Sequence, residues 1–381
     1  MVWYNVTTMY TRSISQTDKQ KLFQIAKHGA RIRTSLILES TALTPLNFLP
    51  EKEKFLNSRT YNPKFSYLNL LPNQFETEID ELEQQIENIE NLPYDLMRHL
   101  IDYVNHLRFL YHARRSIGKP TFPCYAKLAF DWDIHDPDEL LKKLPKFEFN
   151  NEHTGNMTNA EEIAKQLKKA LVDKYKIHNI PVEVNDFTSN IIFVNSKQIN
   201  IGKNIKRFQN NTNRLIVHEI ESHTLQNYNM RNATNSLTAL SKLSDSNLYS
   251  EGLGVFNEVK TNTITKSALT NYYYRLKAIK NSHLSFRQIY VMLLSDKLSK
   301  KQAFNITFRV KRGMHDTSKP GGYPKDAAYL LGYKAVLDFL RDNPEELMYY
   351  AKNPHTTKLL MKYNLIDKKP ILIPDFSNPL Q

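Results

Sequence analysis

His218-Glu219-Ile220-Glu221-Ser222-His223 is the stretch on which the reading of this chain turns. Imidazole and carboxylate are good donors for a zinc-like ion, and a site that performs chemistry uses three protein donors and keeps a position for water. In the common His-Glu-x-x-His pattern the histidines stand four apart and share a helix face. Here they stand five apart. At 3.6 residues per turn, five residues separate the side chains by about 140°, too far for both to reach one ion from a regular helix. The spacing therefore predicts one wider, π-like turn between them, a distortion found mostly at functional sites. The competing reading is an ordinary helix with two unrelated histidines.

Working outward, Asn211-Thr-Asn213 supply capping residues directly before Arg214-Leu-Ile-Val, so a helix is expected to begin there. Upstream, Val182–Val184 and Ile191–Val194 read as strands, Asn195-Ser-Lys197 as a turn and Gln198–Gly202 as the returning strand. Residues 15–40, 73–115 and 159–174 read as helical, with Ile79, Leu82, Ile86 and Ile89 at helical spacing. Arg59–Phe65 is expected to be a loop, because Asn62-Pro63 disfavours helix. Gly118–Pro123 ends the helical part, and 131–145, with acidic clusters and two prolines, is expected to be irregular. There is no internal repeat and no long linker.

A third metal donor is expected on a following helix, and Ser250-Glu251-Gly252-Leu253-Gly254 through Glu258 fits. Glu251 and Glu258 are seven apart and share a face, so angle does not separate them. The glycines beside Glu251 favour it as the donor, since small residues let backbones pack closely around a site. Glu258 is then either an acceptor that orients a histidine or a solvated acid on the helix. Glu219, next to a donor, would stand beside the open position, where a carboxylate can take a proton from attacking water. Glu221 and Ser222 are expected to face away or support the fold.

Phe304–Gly313 alternates apolar and polar residues and reads as a strand, with Asn305, Thr307, Arg309 and Lys311 on the polar face. A loop and a helix from about Ala327 are expected to follow. Trimming a C-terminus requires a cation for the substrate carboxylate, and Arg309, Lys311 and Arg312 are the candidates. Tyr323 and Tyr329 are candidate donors to an oxyanion, against the plainer reading of each alone as a packing tyrosine. His99, His106 and His112 fall on one expected helix and read as structural, while His315 is unassigned.

Composition narrows the classes. Cys124 is the single cysteine, which excludes an intramolecular disulfide and a thiolate zinc site. No apolar run approaches the roughly 18–20 residues of a membrane span, and the start of the chain lacks the pattern of a secretory signal. A cytoplasmic location is therefore expected. The formal charge is +13, yet residues 73–92 hold seven acids and no Lys or Arg, leaving +20 elsewhere. That surface suits an acidic partner. That partner would be a nucleic acid or a Glu-rich peptide, but the lysines are scattered rather than clustered, which favours an ordinary solvated surface, and nucleic acid is not the expected partner.

Together HEIESH (218–223), SEGLG (250–254) and RVKRGMHDTSKPGGYPKDAAYLLG (309–332) resemble the microtubule-associated tyrosine carboxypeptidase family. YNPKF (61–65) and GKP (118–120) look familial too, and the similarity runs from about Tyr61 to Asp342. The resemblance implies a zinc carboxypeptidase with Zn2+ held by His218, His223 and Glu251 and with Glu219 as base. It also implies a peptide or protein C-terminal tail as substrate, acidic and tubulin-like, from which tyrosine is released. This chain departs from the pattern at Glu221-Ser222, where Gly-Thr is usual, at Gly254, where Ala is usual, and at Ser250, where an acid or Gln is usual. These departures bear on substrate preference and remove no donor. The expected architecture is α+β, mostly helical and zincin-like, with a small β-sheet beside the HExxxH helix. A helical N-terminal region (1–120) is expected to pack against a catalytic region (121–381) as one unit. The alternatives are a zinc endopeptidase or other amide hydrolase, and a basic tubulin- or nucleic-acid-binding protein with a structural zinc.

Overall fold

The computed structural model describes residues 14–36, 38, 42–68, 71, 73–151, 154–186, 192–194, 198–232, 236–242, 245–366 and 371–376. The expected turn at 195–197, Ile191 and the first residues of the chain lie outside them. The N-terminal part is helical because apolar residues recur every three or four positions. In α1 (Gln16–Leu36) these are Leu22, Ile25, Ala26, Ile32 and Leu36, all buried. Next come α2 (Phe48–Asn57), α3 (Gln74–Glu87) and α4 (Tyr94–Arg115). The 73–115 stretch is thus two helices, broken where Asn91 adopts a φ of 62° and Pro93 caps α4. The acids of α3 face arginines on its neighbours: Glu78 meets Arg31 at 3.1 Å, and Arg108 meets Asp80 and Glu83 at 2.9 and 2.8 Å. Much of that acidic segment is therefore matched within the fold.

α5 (Phe122–Ala129) and α6 (Pro137–Lys142) follow. The second corrects the expectation of irregular structure over 131–145. Asp136 accepts from the amides of Asp138 and Glu139 at 3.0 and 3.2 Å, and a proline at the first helical position has no amide to leave unpaired. Acid and proline here are helix-start signals.

β1 (Met157–Asn159) leads into α7 (Ala160–Lys169), which continues as a π turn over Ala170–Lys174. β2 (Val182–Asn185), β3 (Ile192–Val194), β4 (Ile199–Gly202) and β5 (Lys206–Phe208) make two small sheets. β4 is central in one, parallel to β2 and antiparallel to β3, and β1 pairs antiparallel with β5. β3 packs against the segment that carries the two histidines. That segment is the middle of a continuous rod: α8 (Gln209–Leu215), a π-helix over Ile216–Thr224, and α9 (Leu225–Asn232). The rod begins at Gln209, not Arg214. Asn211–Asn213 lie inside its first turns, and the cap position is held by Phe208, not by one of the asparagines.

The remainder is helical: α10 (Asp245–Lys260), α11 (Lys266–Lys280), α12 (Phe286–Ser295), α13 (Lys300–Lys311), α14 (Ala328–Leu340), α15 (Leu347–Tyr350) and α16 (Pro354–Lys362). α13 overturns the expected strand at 304–313. Ser299 and Gln302 form a reciprocal capping box that starts a helix. Ala303, Phe304, Ile306, Thr307, Val310 and Lys311 then form its buried face, at helical spacing. The alternation at 304–310 is real but coincides with a helical pattern that the capping box selects. Among the described residues, no helix is long and apolar enough to cross a membrane.

One apolar core joins helices from both ends of the chain, from Leu22 in α1 to Leu360 in α16. A second lies between the small sheet, α7, the histidine rod and α14. α10 and α14 cross at Gly252 and Gly332, where a Cβ on either would run into the backbone of the other. Gly252→Ala or Gly332→Ala is expected to destabilise the fold by about 1–3 kcal/mol. Urea unfolding measures this, and an unchanged midpoint for both variants would show that the crossing is not tight.

Candidate metal centre

A π-helix closes its hydrogen bonds five residues apart, which brings residues i and i+5 to one side. The wider turn expected from the spacing is present, and the rings of His218 and His223 have their centroids 4.9 Å apart. Local side chains serve the backbone of this register. Ser222 Oγ donates to the Val217 carbonyl at 3.1 Å and Thr224 Oγ1 to that of Glu219 at 2.7 Å, each five residues back. From α10, Asn257 Nδ2 donates to the Glu221 carbonyl at 3.1 Å and to Ser222 Oγ at 2.9 Å. Glu221 itself points away from the histidines and accepts from Lys174 Nζ and Tyr175 OH, both at 2.7 Å.

Glu251 on α10 faces both rings, with its Oε2 3.5 Å from His218 Nε2 and 3.6 Å from His223 Nε2. One donor atom from each of the three residues falls within 4.8 Å of the others. Two donors each about 2.1 Å from a tetrahedral zinc ion stand about 3.4 Å apart, so this spacing fits such an ion. The far nitrogens also fit. His218 Nδ1 lies 2.7 Å from Glu258 Oε1, and His223 Nδ1 lies 3.0 Å from Ser250 Oγ, whose hydroxyl donates to Gln226 Oε1 at 2.8 Å. Each Nδ1 therefore donates outward, and each Nε2 presents its lone pair toward Glu251 when neutral. Gly254 completes the arrangement, since a Cβ there would lie 2.5 Å from His218 Cε1.

Glu258 is fully buried and also accepts from Arg214 Nη1 at 2.8 Å and Tyr272 OH at 3.2 Å. Burial opposes its ionisation, but Arg214 and His218 outweigh that and lower its pKa. Burial likewise opposes the Glu251 carboxylate, yet the two histidines hold its pKa well below the usual range. His218 is pushed up to about 10: burial disfavours its cation, and Glu251 and Glu258 overcome that. Glu219 lies within the same field. Burial raises its pKa and Glu251 adds to this, while His218 and His223 oppose.

The other expected site residues divide. Tyr329 approaches the centre, with its ring 6.2 Å from that of His218 and stacked on Tyr272 at 4.7 Å. Tyr323 is buried, and its hydroxyl donates to the Leu38 carbonyl at 3.3 Å. It acts as a packing residue. Arg309 makes a two-point contact with Asp326, which Arg312 also reaches at 3.4 Å and Arg275 at 3.8 Å. Burial opposes ionisation of Asp326, but these arginines hold its pKa far below the usual range. Lys311 corrects the clamp expectation outright. It is fully buried, and its ammonium donates to the carbonyls of Ser282, Lys319 and Gly321 at 2.9, 2.9 and 2.8 Å. All three of its donors are thus engaged by backbone. Arg214, Tyr272 and Asp326 went unread as site residues in the sequence, although Arg214 lies four residues before His218, and Ser250 was read only as a departure bearing on substrate preference. His315 is structural, with its Nδ1 2.8 Å from the Phe65 carbonyl.

These features define a mostly helical protein in which two histidines and one carboxylate form a candidate cation site. The chain belongs to the microtubule-associated tyrosine carboxypeptidase family, whose sequence model matches residues 53–351. It is similar to the Mus musculus protein named "Putative tyrosine carboxypeptidase MATCAP2", with 25% identity over 343 residues, 86% of this chain and 56% of that one. The chain spans about half the length of this curated relative.

A zinc-like ion taken up at this candidate site at pH 8 would displace the proton that His218, pushed up to about 10, otherwise holds, so uptake should release protons. Calorimetry in buffers of different ionisation enthalpy reads this directly, and a buffer-independent heat would contradict it. Glu258→Gln should lower zinc affinity about 10–100-fold. Competition with a chelator tests that, and unchanged affinity would remove Glu258 from the site.

Proposed function

We propose that this protein is a zinc-dependent carboxypeptidase of zincin-like architecture. It would remove the C-terminal residue, tyrosine in the family's namesake activity, from an acidic peptide or protein tail such as that of tubulin. The observation that carries the reading is the convergence of His218 Nε2, His223 Nε2 and Glu251 Oε2 within 4.8 Å, with Glu219 beside them. Zinc bound there supplies a Lewis acid and acidifies a water. Glu219 is the base in this reading: it takes the proton of the attacking water and returns it to the leaving amine. Its burial, which raises its pKa, suits a group that must hold a proton between those steps. Tyr329 donates a hydrogen bond to the developing oxyanion. Glu258 and Ser250 keep the histidine rings in place through their Nδ1 hydrogens. The exposed lone Cys124 suits a reducing, cytoplasmic setting.

Glu219→Gln is expected to lower turnover by about 10²–10⁴ while zinc stays bound. A peptide library digested by the zinc-loaded protein and read by mass spectrometry tests the reaction class. Loss of single C-terminal residues is expected. Internal cuts would instead establish an endopeptidase, and nucleic-acid binding without hydrolysis a binding protein.

A further inference from the structure

The cations expected to clamp a substrate carboxylate are engaged within the fold. Lys311 is tied to three carbonyls. Arg309 gives two donors of its fork to Asp326. Arg312 also bonds Asp326, and its Cζ lies 4.9 Å from the ring centroid of Tyr323, whose hydroxyl points to the Leu38 carbonyl. Arg275, on α11, differs from all three. It reaches Asp326 only at 3.8 Å, beyond hydrogen-bond length. Its Nε is shielded from solvent and has no hydrogen-bond partner among the described residues. The side chain is 19% exposed, so the guanidinium is largely desolvated yet still reachable.

Measured contacts place this guanidinium beside the candidate metal centre. Arg275 Cζ lies 5.2 Å from the centroid of the Tyr329 ring, and that ring is 6.2 Å from the ring of His218. One aromatic ring therefore separates Arg275 from a candidate donor. Tyr272, three residues earlier on the same face of α11, stacks on the Tyr329 ring at 4.7 Å and sends its hydroxyl to Glu258 behind His218 at 3.2 Å. The helix that is anchored to the centre thus also presents Arg275 to it. Asp326 is one carboxylate for three arginines, and among the described residues no other carboxylate pairs with them. Positive charge is left in excess. A desolvated guanidinium with an idle donor is costly unless an anion accepts from it. Three bonds separate the carboxylate carbon of a terminal residue from the scissile carbonyl carbon, a span of about 3–4 Å. The cation that reads the carboxylate therefore belongs close to the group that polarises that carbonyl, and Arg275 is so placed.

We infer that Arg275 binds the substrate's terminal carboxylate, an assignment that rests on the carboxypeptidase reading. Asp326 and the Tyr329 ring hold the guanidinium, and its planar fork matches the two carboxylate oxygens. Arg309 and Arg312 are positioning residues that act through Asp326. The contact sets the last peptide bond at the metal centre and admits only a chain end. An amidated end brings no negative charge and leaves the excess uncompensated.

The test measures binding of one peptide in two forms, free acid and C-terminal amide, to zinc-loaded Glu219→Gln protein, which holds substrate without turning it over. The parent should bind the free acid at least about tenfold more tightly than the amide, the scale of a charge-assisted hydrogen bond. Arg275→Met should abolish most of that preference and leave amide binding and zinc affinity unchanged. Arg275→Lys, which keeps the charge without the fork, should retain a reduced preference. Because the Met variant removes a cation from a group with positive charge in excess, thermal stability should hold, which separates lost recognition from lost folding. If the parent prefers the acid and both Arg275 variants keep that preference in full, the assignment is wrong. Its loss in Arg309→Met but not in Arg275→Met would return the clamp to α13. A parent with no preference would overturn the carboxypeptidase reading itself.

Discussion

The structure depends on a register. Two histidines five residues apart diverge on an α-helix, and the π segment at Ile216–Thr224 is what turns both toward Glu251. A π turn is unfavourable where nothing compensates its altered carbonyl pairing. Here Ser222 and Thr224 donate back to carbonyls within the rod, and Asn257 reaches across from α10. The departure from the familial Gly-Thr at 221–222 therefore has a structural aspect. Ser222 supports the wide turn, and Glu221 anchors it to Lys174 and Tyr175 of the preceding π turn.

α10 is the second fixed point. It carries Glu251 toward the rings, Glu258 and Ser250 behind them and Asn257 under the turn, so one helix supplies a donor and most of the outer contacts. Its distance from α14 is set by Gly252 against Gly332, and its distance from His218 by Gly254. Tyr329, on α14, is thereby brought near His218. The three segments 61–65, 118–120 and 313–317 also meet one another. The Phe65 amide donates to the His315 carbonyl and the Gly118 amide to that of Gly313, both at 2.8 Å. This junction closes the loop that leads to Lys325 and Asp326.

Charge is distributed with similar specificity. The acids of α3 are opposed by arginines of α1 and α4, and one buried carboxylate, Asp326, gathers three arginines. The overall basic charge therefore says little by itself about a partner.

The sequence by itself determined the need for a wider turn and the small sheet, because spacing and side-chain chemistry are local properties. It read Glu251 and Glu258 as different in role through neighbouring glycines; in the structure Glu251 faces both histidine rings and Glu258 meets His218 Nδ1 from behind. Local pattern failed at Phe304–Val310, where alternation and helical spacing coincide and a capping box at Ser299 decides. It failed again for Lys311 and Tyr323, since no pattern reveals that a backbone carbonyl awaits each of them. Arg31 and Glu78, or Arg214 and Glu258, lie far apart along the chain, and only tertiary packing makes them neighbours. Whether a cation pairs with an acid, with a carbonyl or with nothing depends on what the fold sets opposite it, and that is a property of distance in space.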